Sequence, residues 1–321
     1  MEVTELEVVQ ESREVLAHHA RTFNLAALLL PSDQRDDAAV VYAFCRTVDD
    51  LVDEADHPDE GRRAIEELAE MLQGRRAGSP LADAFMSVAE RKGIPLQAAH
   101  DLMAGVVSDV GEVTLYEDAD LIQYGYAVAG TVGLMMCRVI GVTEDWALAH
   151  AIDLGIGMQI TNICRDVVED AQRGRIYIPT RRLEAVAIEP EQLRAGRVQA
   201  DQLAPVISDV LDLADVYYAS GDQGMPAIPV RPRMAIYAAS RVYRAIGLEL
   251  RRRQCDVTAG RVVVPGWRKA AWLAWAVSQA LMCPAFTRVA HNGQLHHALQ
   301  GRPGASTQRN GLVCVTSGVS K

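Results

Sequence analysis

The stretch YAFCRTVDDLVDEAD, residues 42–56, ends in a dense run of acid: Asp49, Asp50, Asp53, Glu54 and Asp56. On a helix, residues four apart stand one turn above each other, about 40° apart around the axis. Asp49 and Asp53 have that spacing. Two ionised carboxylates so placed repel and raise each other's pKa, so something positive must offset them. A second stretch, QITNICRDVVED at 159–170, sets Asn162, Asp166 and Asp170 at i, i+4 and i+8. Either ladder alone reads as a solvated helix end; two of them, each with an arginine beside it, point to a bound cation. Oxygen donors without His or Cys suit Mg²⁺ or Mn²⁺, not zinc. Mg²⁺ takes one or two carboxylates and completes its shell with water and phosphate oxygens. The expected ligand is therefore a diphosphate, bridged by metal between two facing helices. Arg46, Arg165, Arg173 and Arg175, with Tyr177, lie beside the ladders. Guanidinium groups clamp phosphate oxygens in a fork, although any one of these arginines reads equally as the partner of a neighbouring acid.

The elements that must carry these ladders are helical. Segments 36–56, 60–74, 79–93 and 95–110 repeat apolar residues at i, i+3, i+4 and i+7. Segments 118–142 and 144–170 are apolar almost all round, which predicts central helices. Segments 200–221, 231–254 and 267–282 continue the pattern, and only RIYIP and GRVVVPG look extended. We expect one all-α domain over residues 5–290. Residues 291–321 lose periodicity and gain Gly, Ser and Gln, which reads as a disordered tail.

The 321 residues are 49% hydrophobic, enough for a large core and against global disorder. The net charge of −10 argues against a nucleic-acid partner. Six scattered cysteines without a CxxC pair read as reduced thiols of a cytoplasmic protein. No apolar run reaches the ~20 residues that span a bilayer. The segment WRKAAWLAWAVSQALM carries Trp272 and Trp275 on one face behind Arg268 and Lys269. It reads as a core helix or as a helix lying at the inner membrane face.

Four motifs together carry a resemblance. YAFCRTVDDLVDE, YAVAGTVGLMM, QITNICRDVVEDAQRGRIYIP and AIYAASRVYRAIG, spread between His19 and Pro265, resemble the squalene/phytoene synthase family, most of all its bacterial phytoene synthases. The resemblance implies an isoprenoid-synthase helical bundle with a central cavity. It implies that Asp49 and Asp53 form one metal motif and Asn162, Asp166 and Asp170 the other. Arg46, Arg165, Arg175, Tyr177, Tyr237 and Arg261 match positions around the substrate diphosphates, and Tyr124 one beside the reacting carbons. Where the family often has His-Ser-x-Ser-Phe, this chain has HARTF: Thr22 keeps a hydroxyl for a diphosphate and Ala20 does not.

The implied reaction is the head-to-head condensation of two geranylgeranyl diphosphates to phytoene through a cyclopropyl diphosphate, without NADPH, in carotenoid biosynthesis. Gly125, Ala129, Gly130 and Gly133 are expected to leave room for a long chain in the cavity wall, or else to permit close helix packing. The alternatives are a squalene- or dehydrosqualene-type synthase using C15 farnesyl diphosphate, a class I terpene cyclase, and a non-catalytic relative on the same fold. Cyclases usually have Ser and Glu where this chain has Asp166 and Asp170, and non-catalytic relatives typically lose the carboxylates.

Overall fold

The computed structural model describes residues 5–19, 27–283 and 288–305. Thr22 and Cys314 lie outside them. The described chain is a bundle of helices, as the periodicity requires. The first is Glu5–His19; Ser32–Asp53 follows and carries the first ladder. Pro58–Leu72, Pro80–Lys92 and Leu96–Val107 come next. Helix Pro80–Lys92 shows why the boundaries fall where they do. Ser79 accepts a hydrogen bond from the Ala82 amide at 3.2 Å, and Gly93 ends the helix in a left-handed conformation.

The apolar segment at 118–142 forms three pieces in one line. Asp118–Gly125 and Thr131–Val139 are α-helical, and Tyr126–Gly130 between them is a π-helical turn. The core helix, Trp146–Gln172, carries the second ladder near its C-terminal end. Its Ile152, Ile156 and Ile160 are fully buried, which accounts for a sequence apolar on every side. Helix Ala200–Gly224 packs along it, and Val230–Arg252 and Gly266–Met282 complete the bundle. Cys45, Cys137, Cys164 and Cys255 are buried free thiols.

Of the two segments expected to be extended, RIYIP supplies a strand. Arg175–Ile176 pairs in parallel with Val113–Thr114, Val113 opposite Arg175. Gly174, at φ +81°, makes the turn that leads from the core helix into this strand. GRVVVPG joins no ladder among the described residues. Its valines alternate instead, with Val262 and Val264 buried and Val263 exposed.

The expectation of a tail from residue 291 fails over its described part. Residues 288–305 run back across the bundle, and His296 and Leu299 are buried. The Tyr217 hydroxyl donates to the Leu295 carbonyl at 3.0 Å, and Tyr126 to the Pro303 carbonyl at 3.3 Å. Arg302 reaches Asp101 at 3.3 Å. The segment lacks helical periodicity because it is held by single polar anchors rather than by a continuous apolar stripe. Residues 306–321 lie outside the described residues.

Candidate active site

Helices Ser32–Asp53 and Trp146–Gln172 each bring one ladder residue, Asp49 and Asn162, into the lining of one cavity. The cavity measures about 350 Å³, and its polar lining includes Arg46 and Asp49 from the first helix and Gln159 and Asn162 from the second. The rest is largely apolar, with Val128, Ala129, Val132, Met136, Leu154 and Met158, and His150, Ser240, Tyr42 and Tyr243 also reach it.

The electrostatics match two ladders that want a cation. Burial, helped by Asp53, Asp50 and Asp109, pushes Asp49 up to about 7 against the opposing pull of Arg46. Burial and Asp166 push Asp170 up to about 7 as well. The Asn162 Oδ1 is buried without a hydrogen-bond partner. A buried amide oxygen with no donor carries a desolvation cost that a cation would relieve. Four carboxylates and one orphaned carbonyl oxygen form an all-oxygen donor set that fits Mg²⁺ or Mn²⁺.

The arginines hold the ladders' remaining charges. Arg46 forms an ion pair with Asp50 rather than with Asp49. Arg165 pairs with Asp166 through two hydrogen bonds, one of 2.8 Å from its Nε. Arg261 adds a contact of 3.3 Å to Asp166. Arg175 ties the two ladders together: it donates to Asp53 at 3.0 Å, and its charge also acts on Asp170. Arg173 bonds Glu169 at 3.0 Å as an exposed pair, and its charge also acts on Asp170.

Tyr124 and Tyr177 stack with ring centroids 4.5 Å apart. Their hydroxyls donate to the two oxygens of one carboxylate, Asp109, at 2.8 and 2.7 Å. Burial holds Asp109 above the usual carboxylate range despite those two bonds, and burial raises both phenols. Sequence reasoning missed Asp109. It lies just past the end of helix Leu96–Val107, where periodicity stops, and the parallel strand pair brings Tyr177 to it.

Tyr237 is placed elsewhere. Its ring stacks under the Arg241 guanidinium at 5.3 Å, close to Cys283. Tyr243, six residues further on the same helix, lines the cavity and interacts with Arg165, Asp166 and Arg261. Six residues turn a helix through about 600°, so the two side chains leave it about 120° apart. The motif located the helix but not which of its tyrosines faces the site.

The wall glycines also divide. Ala129 and Gly133 line the cavity, whereas Gly125 and Gly130 abut Ile156 and Ile152. Even Gly133 has little freedom: a Cβ there would stand 2.4 Å from the Ala151 carbonyl oxygen. Close packing, not spare room, accounts for Gly130 and Gly133, whereas a Cβ on Gly125 would make only an ordinary contact, 3.5 Å from Ile156.

This geometry agrees with what the chain is similar to. Residues 16–268 match the family model described as squalene/phytoene synthase. The chain belongs to the squalene/phytoene synthase family. Among its relatives in this family, a phytoene synthase of Thermus thermophilus is 38% identical over 273 residues, covering 84% of this chain and 92% of the relative. A 15-cis-phytoene synthase of Paracoccus sp. is 37% identical over 258 residues, covering 77% and 83%. Among solved structures of the family, a dehydrosqualene synthase bound to a ligand superposes with a TM-score of 0.77 at 25% identity, covering 87% of this chain and 98% of that one. A squalene synthase of Alicyclobacillus acidocaldarius gives 0.71 at 25% identity, covering 80% and 97%. The fold is therefore the all-α isoprenoid-synthase bundle of this family.

Proposed function

We propose that the protein is a phytoene synthase that joins two C20 geranylgeranyl diphosphates head to head. One observation carries the reading. Asp49 and Arg46 line the same largely apolar cavity as Asn162, with its orphaned oxygen. The sequence relatives named phytoene synthase support the C20 substrate. Asp49, Asp53, Asn162, Asp166 and Asp170 would hold Mg²⁺ or Mn²⁺, which when bound supplies Lewis-acid charge to a leaving diphosphate and a template for it.

The chain's own groups do the rest. Arg165, Arg175 and Arg261, already at the ladders, turn their remaining N–H groups to phosphate oxygens, and Tyr243 stands among them. Arg46 does the same from the first helix. Charges fixed in advance around the departing oxyanion are the largest expected contribution to rate. As the C1–O bond of the first substrate breaks, its allylic cation is attacked by the double bond of the second. Loss of a proton closes a cyclopropyl diphosphate. Loss of the second diphosphate, rearrangement of the ring and loss of another proton give the central double bond, so no hydride donor is required. Val128, Val132, Met136 and Met158 keep water from the cations. Asp109 fixes the phenols of Tyr124 and Tyr177, presenting the stacked rings as a face that stabilises positive charge.

Lipid substrates also suit contact with a membrane surface. Helix Gly266–Met282 exposes Trp267, Trp275, Leu281 and Met282 on one side. No helix of the described residues is long and apolar enough to cross a membrane. We assign this face to peripheral membrane contact.

The test is to supply C20 and C15 diphosphates separately with Mg²⁺ and no reductant, then weigh the products. A C40 hydrocarbon from the C20 substrate is expected. A C30 product with the C20 substrate ignored overturns the chain-length assignment, and a product with one substrate's carbon count overturns the condensation.

A further inference from the structure

The core helix measures the depth of the cavity. Lining residues run down that helix from Asn162 to Ala147, 15 positions apart, which is about 22 Å at about 1.5 Å per residue. Val128 to Ile140 line it over a similar length, about 18 Å. Towards the far end stands His150, 12 positions and about 18 Å from Asn162, with no exposed surface. A polar ring in a lipid-sized pocket is costly unless its nitrogens are engaged elsewhere.

The partners of His150 meet that condition. Asp153 accepts from His291 Nε2 at 2.7 Å, from His296 Nε2 at 2.8 Å and from the Ser220 hydroxyl. Since Ser220 spends its proton on the carboxylate, it accepts the 3.1 Å bond from His150 Nδ1. His150 Nε2 faces the Val289 carbonyl at 3.5 Å. Both nitrogens are directed at protein neighbours, so the ring offers the cavity its carbon edge and its faces. Burial and the nearby His291 lower the pKa of His150, which keeps the ring neutral. At its root the ring is braced by Gly224, where a Cβ would stand 2.6 Å from the His150 Cβ. An imidazole held at both ends cannot swing aside as an untethered Leu or Met can.

We propose that His150 is the stop that limits the prenyl chain to C20, held in place by Ser220 and Asp153 as positioning residues. The proposal rests on the reading above, in which the ladders hold the diphosphate and C1 starts near the level of Asn162. At about 1.2 Å per bond, an extended C20 chain measures about 18 Å from C1 to its far methyl, a C15 chain about 13 Å and a C25 chain about 23 Å. The C20 terminus therefore ends against the ring. The C15 terminus stops about one helical turn short and leaves that apolar contact unmade. A C25 chain has to displace a ring tied through Ser220 to a buried carboxylate. The lining beyond His150 ends at Ala147, about 22 Å from Asn162, so removing the ring would open the length that a fifth isoprene unit needs.

The experiment measures binding apart from turnover. The full chain in Mg²⁺ is titrated by calorimetry with C15, C20 and C25 prenyl thiolodiphosphates, unreactive analogues in which sulfur replaces the oxygen on C1. Wild type should bind C20 about 10-fold or more tighter than either C15 or C25. His150→Ala, with helical content checked by circular dichroism, should bring C25 to within about 3-fold of C20. Ser220→Ala cuts the tie but keeps the ring, and should move the C25-to-C20 affinity ratio in the same direction; it decides if His150→Ala does not fold. A wild type that binds C25 as tightly as C20, or a folded variant with the wild-type ratio, overturns the proposal. Failure to condense the C20 diphosphate while this binding pattern holds would fault the proposed reaction and leave the stop standing.

Discussion

Gly133 is the position where two explanations of a small residue give opposite experiments. If it opens the cavity for a long chain, enlarging it should hurt the C20 substrate and spare the fold. The structure predicts the reverse. A Cβ on Gly133 would stand 2.4 Å from the Ala151 carbonyl oxygen, and a Cβ on Gly155 2.4 Å from the Ala129 carbonyl oxygen. Residues 129 and 133 thus interlock with 151 and 155 through backbone on both sides, and neither backbone can turn aside as a side-chain tip can. Relief requires the helices to part by about 0.8 Å, at an overpacking cost near the upper end of about 1–3 kcal/mol. Replacing a helical glycine by alanine returns about 1 kcal/mol of helix propensity. The net loss for Gly133→Ala is then about 2 kcal/mol. With an unfolding entropy of about 2.1 cal/mol/K per residue, roughly 0.7 kcal/mol/K for this chain, Tm should fall by about 3 °C. Scanning calorimetry measures that fall. Ala129→Leu is the counterpart, since its side chain lines the cavity. It should leave Tm nearly unchanged and lower C20 turnover more than C15 turnover. A Gly133→Ala protein with wild-type Tm and a selective loss of C20 turnover would refute the packing argument.

Asp53→Asn and Asp166→Asn, each assayed across a Mg²⁺ titration, should lower turnover by about 100-fold or more while circular dichroism stays native; near-wild-type rates in either would remove that ladder from the mechanism. Asp49 and Asp170 both titrate near 7, so the fraction with both ionised rises from about 1% at pH 6 to about 80% at pH 8. Mn²⁺ affinity measured by electron paramagnetic resonance should accordingly rise by about 100-fold over that range, and a flat profile would contradict the shifts. Both groups hold a proton more tightly folded than unfolded, so metal-free stability should fall as pH rises from about 4 through about 7; a Tm that climbs across this window would show the sign to be wrong. Trp267→Ala should weaken flotation with anionic liposomes without altering turnover in detergent, and a wild type that does not float at all would dispose of the membrane face.

Much of this was legible because two ladders and nine helical segments obey the same 3.6-residue rule. Asp49 with Asp53, and Asn162 with Asp166 and Asp170, are local patterns, and each ladder follows from one helix. What failed was tertiary. Asp109 has no helical neighbour four residues away to mark it, and only the pairing of Val113 with Arg175 sets it between two tyrosines. Tyr237 and Tyr243 share one helix and one composition, so which faces the cavity depends on that helix's rotation in the bundle. The glycines of 125–133 gave the right inference of close approach or open space without deciding between them, because the decision rests on the Ala151 and Ala129 carbonyls across the interface. Residues 291–305 read as part of a tail because anchors such as His296 and Arg302 find their partners about 140 and 200 positions earlier in the chain.

The π-helical turn at Tyr126–Gly130 has a consequence for how such cavities diversify. The Thr131 amide bonds the Tyr126 carbonyl five residues back, so this turn holds one residue more than an α-turn would. Ahead of it, Tyr124 meets Asp109; after it, Val132, Gly133 and Met136 line the cavity. The turn absorbs its extra residue between the reactive end of the helix and its wall. Losing a single residue here would let α-helical bonding run through unbroken, and Val132, Gly133 and Met136 would keep their bearing on Tyr124, because the wide turn spends five residues on the rotation that an α-turn spends four on. The same loss in the α-helical pieces on either side would turn the wall by about 100°. Length can therefore vary at this turn while the set of side chains facing the substrate stays the same.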